Sequence, residues 1–84
     1  VWGFAVDKED KDEDAGVKVT EVLAKSPAAE GGLQAGDRLL TLDGRWTDSL
    51  GDTYFAASKV APGNPAVLVV RRAGKEVKLT VTPA

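Results

Sequence analysis

Ser26-Pro27-Ala28-Ala29-Glu30-Gly31-Gly32-Leu33-Gln34-Ala35-Gly36-Asp37-Arg38-Leu39-Leu40-Thr41-Leu42-Asp43-Gly44 is the stretch on which the fold turns. A serine followed by proline marks a helix start. The hydroxyl oxygen accepts from the free amides of the first turn, and the proline ring suits the first helical position. The helix is predicted as a single turn, Ala28 to Gly31, because the paired glycines weaken it and Gly36 stops its extension. Asp37 is placed to cap neighbouring amides as the chain enters a strand. Arg38 to Leu42 reads as a buried strand, and Asp43-Gly44 as the tight turn that ends it. Arg45 to Thr47 then returns as a short strand.

Downstream, Asp48 or Ser49 caps a helix predicted from Leu50 to Val60 and closed by Pro62-Gly63. Leu50, Thr53, Ala57 and Val60 fall on one face at helical spacing. Two strands follow, Ala66 to Arg72 and Lys75 to Thr82, joined as a hairpin at Ala73-Gly74. Val77, Leu79 and Val81 alternate with Lys78, Thr80 and Thr82, so one face of the last strand is buried. Upstream, the apolar Val1 to Val6 reads as a strand and Val17 to Leu23 as another. Between them Asp7 to Asp14 carries six acids and two lysines, which reads as a solvated loop. The predicted class is therefore mainly β with two helices (α+β). Five to six strands form a partly open β-barrel or sandwich capped by the helices.

Composition sets limits on function. At 84 residues the chain makes one domain spanning 1–84. Its opening in mid-strand reads as a domain cut from a longer protein. A net charge of −2 lacks the basic stripe of a nucleic-acid binder. No apolar run approaches the length of a membrane-inserting helix, and no targeting segment is present. Histidine and cysteine are both absent, which removes Ser-His and Cys-His nucleophile pairs and the usual zinc ligands. Ser58 and Lys59 are sequence neighbours and point about 100° apart on a helix, a poor dyad. The glycines match no phosphate loop, and the acidic run lacks the spacing of a calcium loop. No catalytic residue, metal site or cofactor is expected, and the isolated domain is expected to be a monomer.

The Ser26–Gly44 segment, together with Val1-Trp2-Gly3-Phe4, resembles the PDZ family, and more closely the PDZ domains of bacterial envelope proteases of the HtrA type. The likeness runs over essentially the whole chain. A strand order that begins at the glycine loop and ends with an added hairpin strand is similar to the circularly permuted bacterial arrangement. What the resemblance implies is a peptide-binding module, capturing C-terminal or extended segments by β-augmentation. Val1, Trp2, Gly3 and Phe4 would form a carboxylate-binding loop, an anion nest of backbone N–H groups. Phe4, Ala5 and Val6 would offer a strand edge, and Thr53, Ala57 and Val60 would line the facing helix and the pocket for the last side chain. Gly31 stands where the bacterial pattern has alanine, a change expected to loosen the short helix. The implied setting is a protease of the bacterial periplasm or envelope. The alternative is an assembly module whose groove docks a segment of its own parent chain or of a partner subunit. The acidic loop is expected to lie beside the upstream part of a bound peptide and to favour basic residues there.

Overall fold

The computed structural model describes residues 1–84. Its elements run β1 (Phe4–Asp7), β2 (Val17–Val22), α1 (Pro27–Glu30), β3 (Arg38–Leu42), β4 (Arg45–Trp46), α2 (Leu50–Ser58), β5 (Ala66–Arg72) and β6 (Lys75–Val81). One antiparallel sheet has the order β1-β2-β3-β5-β6, with the short β4 paired to β3. β1 and β6 are its edges. The residues flanking those edges meet, since the Ala84 N–H donates to the Val1 carbonyl at 2.9 Å. The sheet is thus curled into a partly open barrel, with six strands and two helices as its parts.

Alternation explains which faces are covered. In β2, Val17 and Val19 point inward while Lys18 and Thr20 face solvent, and in β5 Ala66, Leu68 and Val70 do the same. With Leu39, Leu42 and Val81 they form an aliphatic core closed by Ala28 and Leu33 below and by Ala56 and Val60 beside it. No aromatic ring is fully buried. Trp2 and Phe4 pack against the rim of this core, which leaves them partly available at the surface.

Both caps form as the residue types require. Ser26 Oγ accepts from the Ala29 amide at 3.2 Å, and Ser49 Oγ accepts from the Asp52 amide at 3.0 Å. The hairpin turns Asp43-Gly44 and Ala73-Gly74 each place both residues at positive φ, the mirror-image turn that suits the twist of antiparallel strands. Asp37 does cap, accepting from the Gln34 amide at 2.9 Å. It also receives Arg72 on both carboxylate oxygens, at 2.8 and 2.7 Å. Arg72 reaches on to the Gly32 carbonyl at 2.8 Å, so the α1–β3 connection is pinned to β5. Burial pushes the Asp37 carboxyl up, but the Arg72 hydrogen bonds, the Gln34 amide and the Arg72 charge outweigh it. The carboxyl is left below its ordinary value.

Several sequence expectations shift. The first strand begins at Phe4 rather than Val1, because Gly3 sits at φ +89 and breaks the extended run. α2 ends at Ser58 rather than Val60. The Lys59 and Val60 amides bond three residues back, to Ala56 and Ala57, and this tightened last turn carries Val60 into the core. Gly31 is no loosening change. A Cβ there would stand 2.6 Å from both the Thr80 carbonyl oxygen and Val81 Cγ2, so glycine is what lets α1 press onto β6. The acidic run is not simply solvated. Arg38 grips Asp12 through two bonds of 2.7 and 2.8 Å and also donates to the carbonyls of Asp14, Ala15 and Gly16.

Candidate functional site

β1 is an edge strand paired only with β2, so one side of its backbone is open. The Leu23 amide donates to the Gly3 carbonyl at 2.8 Å. Antiparallel strands alternate bonded and non-bonded pairs. Phe4, opposite Val22, therefore turns its own N–H and C=O toward the open side. The register slips between Ala5 and Val6, where Thr20 is the extra residue on β2. Such a bulge increases local twist and leaves Val6 facing outward with Phe4.

Ahead of β1, the carbonyls and the amides of the loop part ways. The carbonyls of Val1, Trp2 and Gly3 accept from Ala84, Ala28 and Leu23. The N–H groups of Trp2 and Gly3 donate to no protein group. Gly3 makes this possible in two ways. Its φ of +89 lies in the left-handed region, which costs any other residue about 1 kcal/mol or more. A Cβ would also overlap Ser26 Cβ and Oγ. Ser26 thus caps α1, donates to the Leu23 carbonyl at 2.7 Å and closes the space behind the loop.

Between β1 and α2 lies a cavity of about 180 Å³, lined by Trp2, Phe4, Ala5, Val6, Thr53, Tyr54 and Ala57. This is well under the volume of a drug-sized pocket and suits one apolar side chain. Trp2 and Phe4 meet edge to face, with ring centroids 6.2 Å apart and planes at 89°, so each holds the other's orientation. Thr53 is buried, and its hydroxyl donates to the Ser49 carbonyl at 2.8 Å. Toward a ligand it can only accept. No titratable group lines the cavity apart from the Tyr54 phenol.

Of the residues singled out from sequence, Trp2, Phe4, Ala5, Val6, Thr53 and Ala57 come together around this space, with Gly3 in the loop at its mouth. Val1 does not line it; its side chain is 79% exposed and its carbonyl is held by Ala84. Val60 does not either, since it packs in the core cluster. Tyr54 is the wall residue that the sequence reading passed over. It stands three residues before Ala57, and that i, i+3 spacing was the available signal.

Residues 2–82 match the family profile described as PDZ domain. A putative zinc metalloprotease of Mesorhizobium japonicum is 45% identical across 77% of this chain and 17% of its own length. A probable periplasmic serine endoprotease, DegP-like, of Pseudomonas savastanoi pv. phaseolicola is 42% identical across 84% of this chain and 15% of its own. Among solved structures, the HtrA-type protease AlgW with decapeptide superposes with a TM-score of 0.75 at 30% identity, covering 95% of this chain and 26% of that one. The chain spans about a sixth of the length of these two relatives. On the family match, this chain is a PDZ domain.

Proposed function

We propose that this domain captures the C-terminal or extended segment of a peptide in the groove between β1 and α2. The observation that carries the reading is the pair of free amides, Trp2 and Gly3, at the mouth of an apolar cavity. Successive free N–H groups around a left-handed glycine can form a nest suited to a carboxylate. The ligand would add as a strand to the open side of Phe4 and Val6. Its last side chain would enter the space among Trp2, Phe4, Tyr54 and Ala57. Thr53 lies further along the helix wall and offers only an acceptor.

The relatives support our reading of the parent role. Relatives carry protease names of two different chemistries, and one is named periplasmic. The same kind of module beside two kinds of active site fits substrate recognition or regulation rather than catalysis. We place the domain in a bacterial envelope protease on that ground. A few strand hydrogen bonds and one pocket supply affinity on the order of micromolar. That is enough when tethering raises the local substrate concentration.

Calorimetry with pentapeptides tests this. Peptides ending in valine or leucine should bind, and the same peptides ending in aspartate should not. If no apolar-ended peptide releases heat, capture by this groove is wrong and docking of a parent-chain segment takes its place.

A further inference from the structure

One cation of the acidic loop has its whole bonding capacity committed, and nothing in peptide capture as described uses it. Lys8 directly follows β1, the strand wall of the groove. Its ammonium group donates to the carbonyl oxygens of Asp14 at 2.7 Å, Gly16 at 3.0 Å and Asp48 at 2.7 Å. An ammonium carries three protons, so each carbonyl takes one. Asp14 and Gly16 close the β1–β2 loop. Asp48 lies two residues before α2, the helix wall. A second link joins the same partners, because the Gly16 amide donates to Asp48 Oδ1 at 2.9 Å. Arg38 grips Asp12 and the carbonyls of Asp14 to Gly16, so the loop that Lys8 pulls on is itself fixed to β3.

The two walls of the groove are therefore tied together at the Asp7 end. Thr53 stands one turn into α2 from that tie, and α2 otherwise leans mainly on β3 and β4. We propose that Lys8 is a positioning residue that sets the separation of β1 and α2 at this end of the groove. It thereby governs how much the upstream residues of a bound peptide add to affinity. The proposal rests on the reading of the groove as a peptide site. Residues near the ligand's end, held by the Gly3 loop and the apolar cavity, lie away from the tie and are unaffected by it. Residues further upstream, alongside Val6 and opposite Thr53, need the two walls at strand-pairing distance.

Lys8→Met keeps the apolar stem and removes the ammonium. Lys11→Met removes the same charge from an exposed position of the same loop, so the difference between the variants isolates the tie from the charge. Dissociation constants are measured for an apolar-ended tripeptide and for its extension to six residues. In the unaltered domain and in Lys11→Met, extension tightens binding. In Lys8→Met that gain should shrink by about fivefold, roughly what one strand hydrogen bond contributes, while the tripeptide constant moves less than twofold. A gain as large in Lys8→Met as in Lys11→Met overturns the proposal, and so does a parallel loss for both peptides, which marks a general structural role. Absence of binding by the unaltered domain defeats the groove reading and the proposal with it. Should Lys8→Met melt below the assay temperature, Lys8→Gln keeps two N–H donors on a shorter arm. An intermediate loss of the extension gain in Lys8→Gln supports the proposal, and an undiminished gain refutes it.

Discussion

Ala57→Leu separates an empty binding pocket from ordinary packing, because the two predict opposite signs. Ala57 lines the cavity of about 180 Å³ from the α2 wall, and leucine adds three carbons there. At about 0.8 kcal/mol for each buried carbon, filling the space is worth roughly 2.4 kcal/mol. A ligand side chain displaced from it loses about that much, a weakening near fiftyfold. The folded domain gains part of the same quantity, against a few tenths of a kcal/mol for the poorer helix propensity. A valine- or leucine-ended peptide would be titrated by calorimetry, and the thermal midpoint of each variant recorded alone. The expected pairing is a 30- to 50-fold loss of affinity with an unchanged or raised Tm, roughly 0 to 8 °C. Unchanged affinity would show that the ligand side chain sits elsewhere. A Tm lowered by several degrees would show that Ala57 faces packed atoms, and the reasoning from the cavity would fail.

Other expectations follow from the same geometry. Gly31→Ala forces a methyl against the Thr80 carbonyl and Val81; overpacking of this kind costs about 2 kcal/mol, a fall of roughly 10 °C in Tm for a domain this size, with peptide affinity retained. Stability should be flat above pH 5 and decline as acid is added. Against the upward push of burial, the Arg72 guanidinium and the Gln34 amide hold the folded Asp37 carboxyl below its ordinary value, so the unfolded chain takes up the proton first and stability falls as pH drops through the folded value. Asp37→Asn should lower stability at neutral pH and flatten that acid limb in denaturant titrations. Neutralising Asp7, Glu9, Asp10 and Glu13, the exposed acids that the Arg38 grip leaves unused, should weaken only peptides with upstream lysine or arginine. Each pair is worth at most about 1 kcal/mol, and the difference should vanish at high salt.

The parts of this molecule that could be read from sequence are those decided within a few residues. Ser26-Pro27 and Ser49 are caps whose partners lie three residues on. Asp43-Gly44 and Ala73-Gly74 are turns set by local backbone preference, and Val77, Leu79 and Val81 follow the pleat of one strand. What the sequence concealed is long-range. Arg72 reaches Asp37 across 35 positions and Lys8 reaches Asp48 across 40, and no local pattern pairs those residues. Charge composition alone made Asp7 to Asp14 read as solvated, since nothing nearby announces that Arg38 is its anchor. Gly31 looked like a loose substitution because the strand that crowds it, β6, lies about 50 residues further along the chain. Val60 was placed by helical spacing that holds only while the helix does, and α2 stops two residues short of it. In the groove, the strand and loop residues were legible from Gly3 and its apolar flanks. Tyr54 was passed over because the residue is 65% exposed and reads as helix surface, although its place three residues before Ala57 put it on the same side of the helix.

The central claim is that free amides beside an apolar cavity receive the end of a peptide. Its most direct test is an amide NMR titration with apolar-ended peptides, each with a free carboxylate and again amidated. Shifts confined to Trp2–Val6 and Thr53–Ala57, present with the carboxylate and lost on amidation, are the predicted result. Equal shifts with both forms would move the reading to internal extended segments. No shift at those residues with either form would contradict the claim.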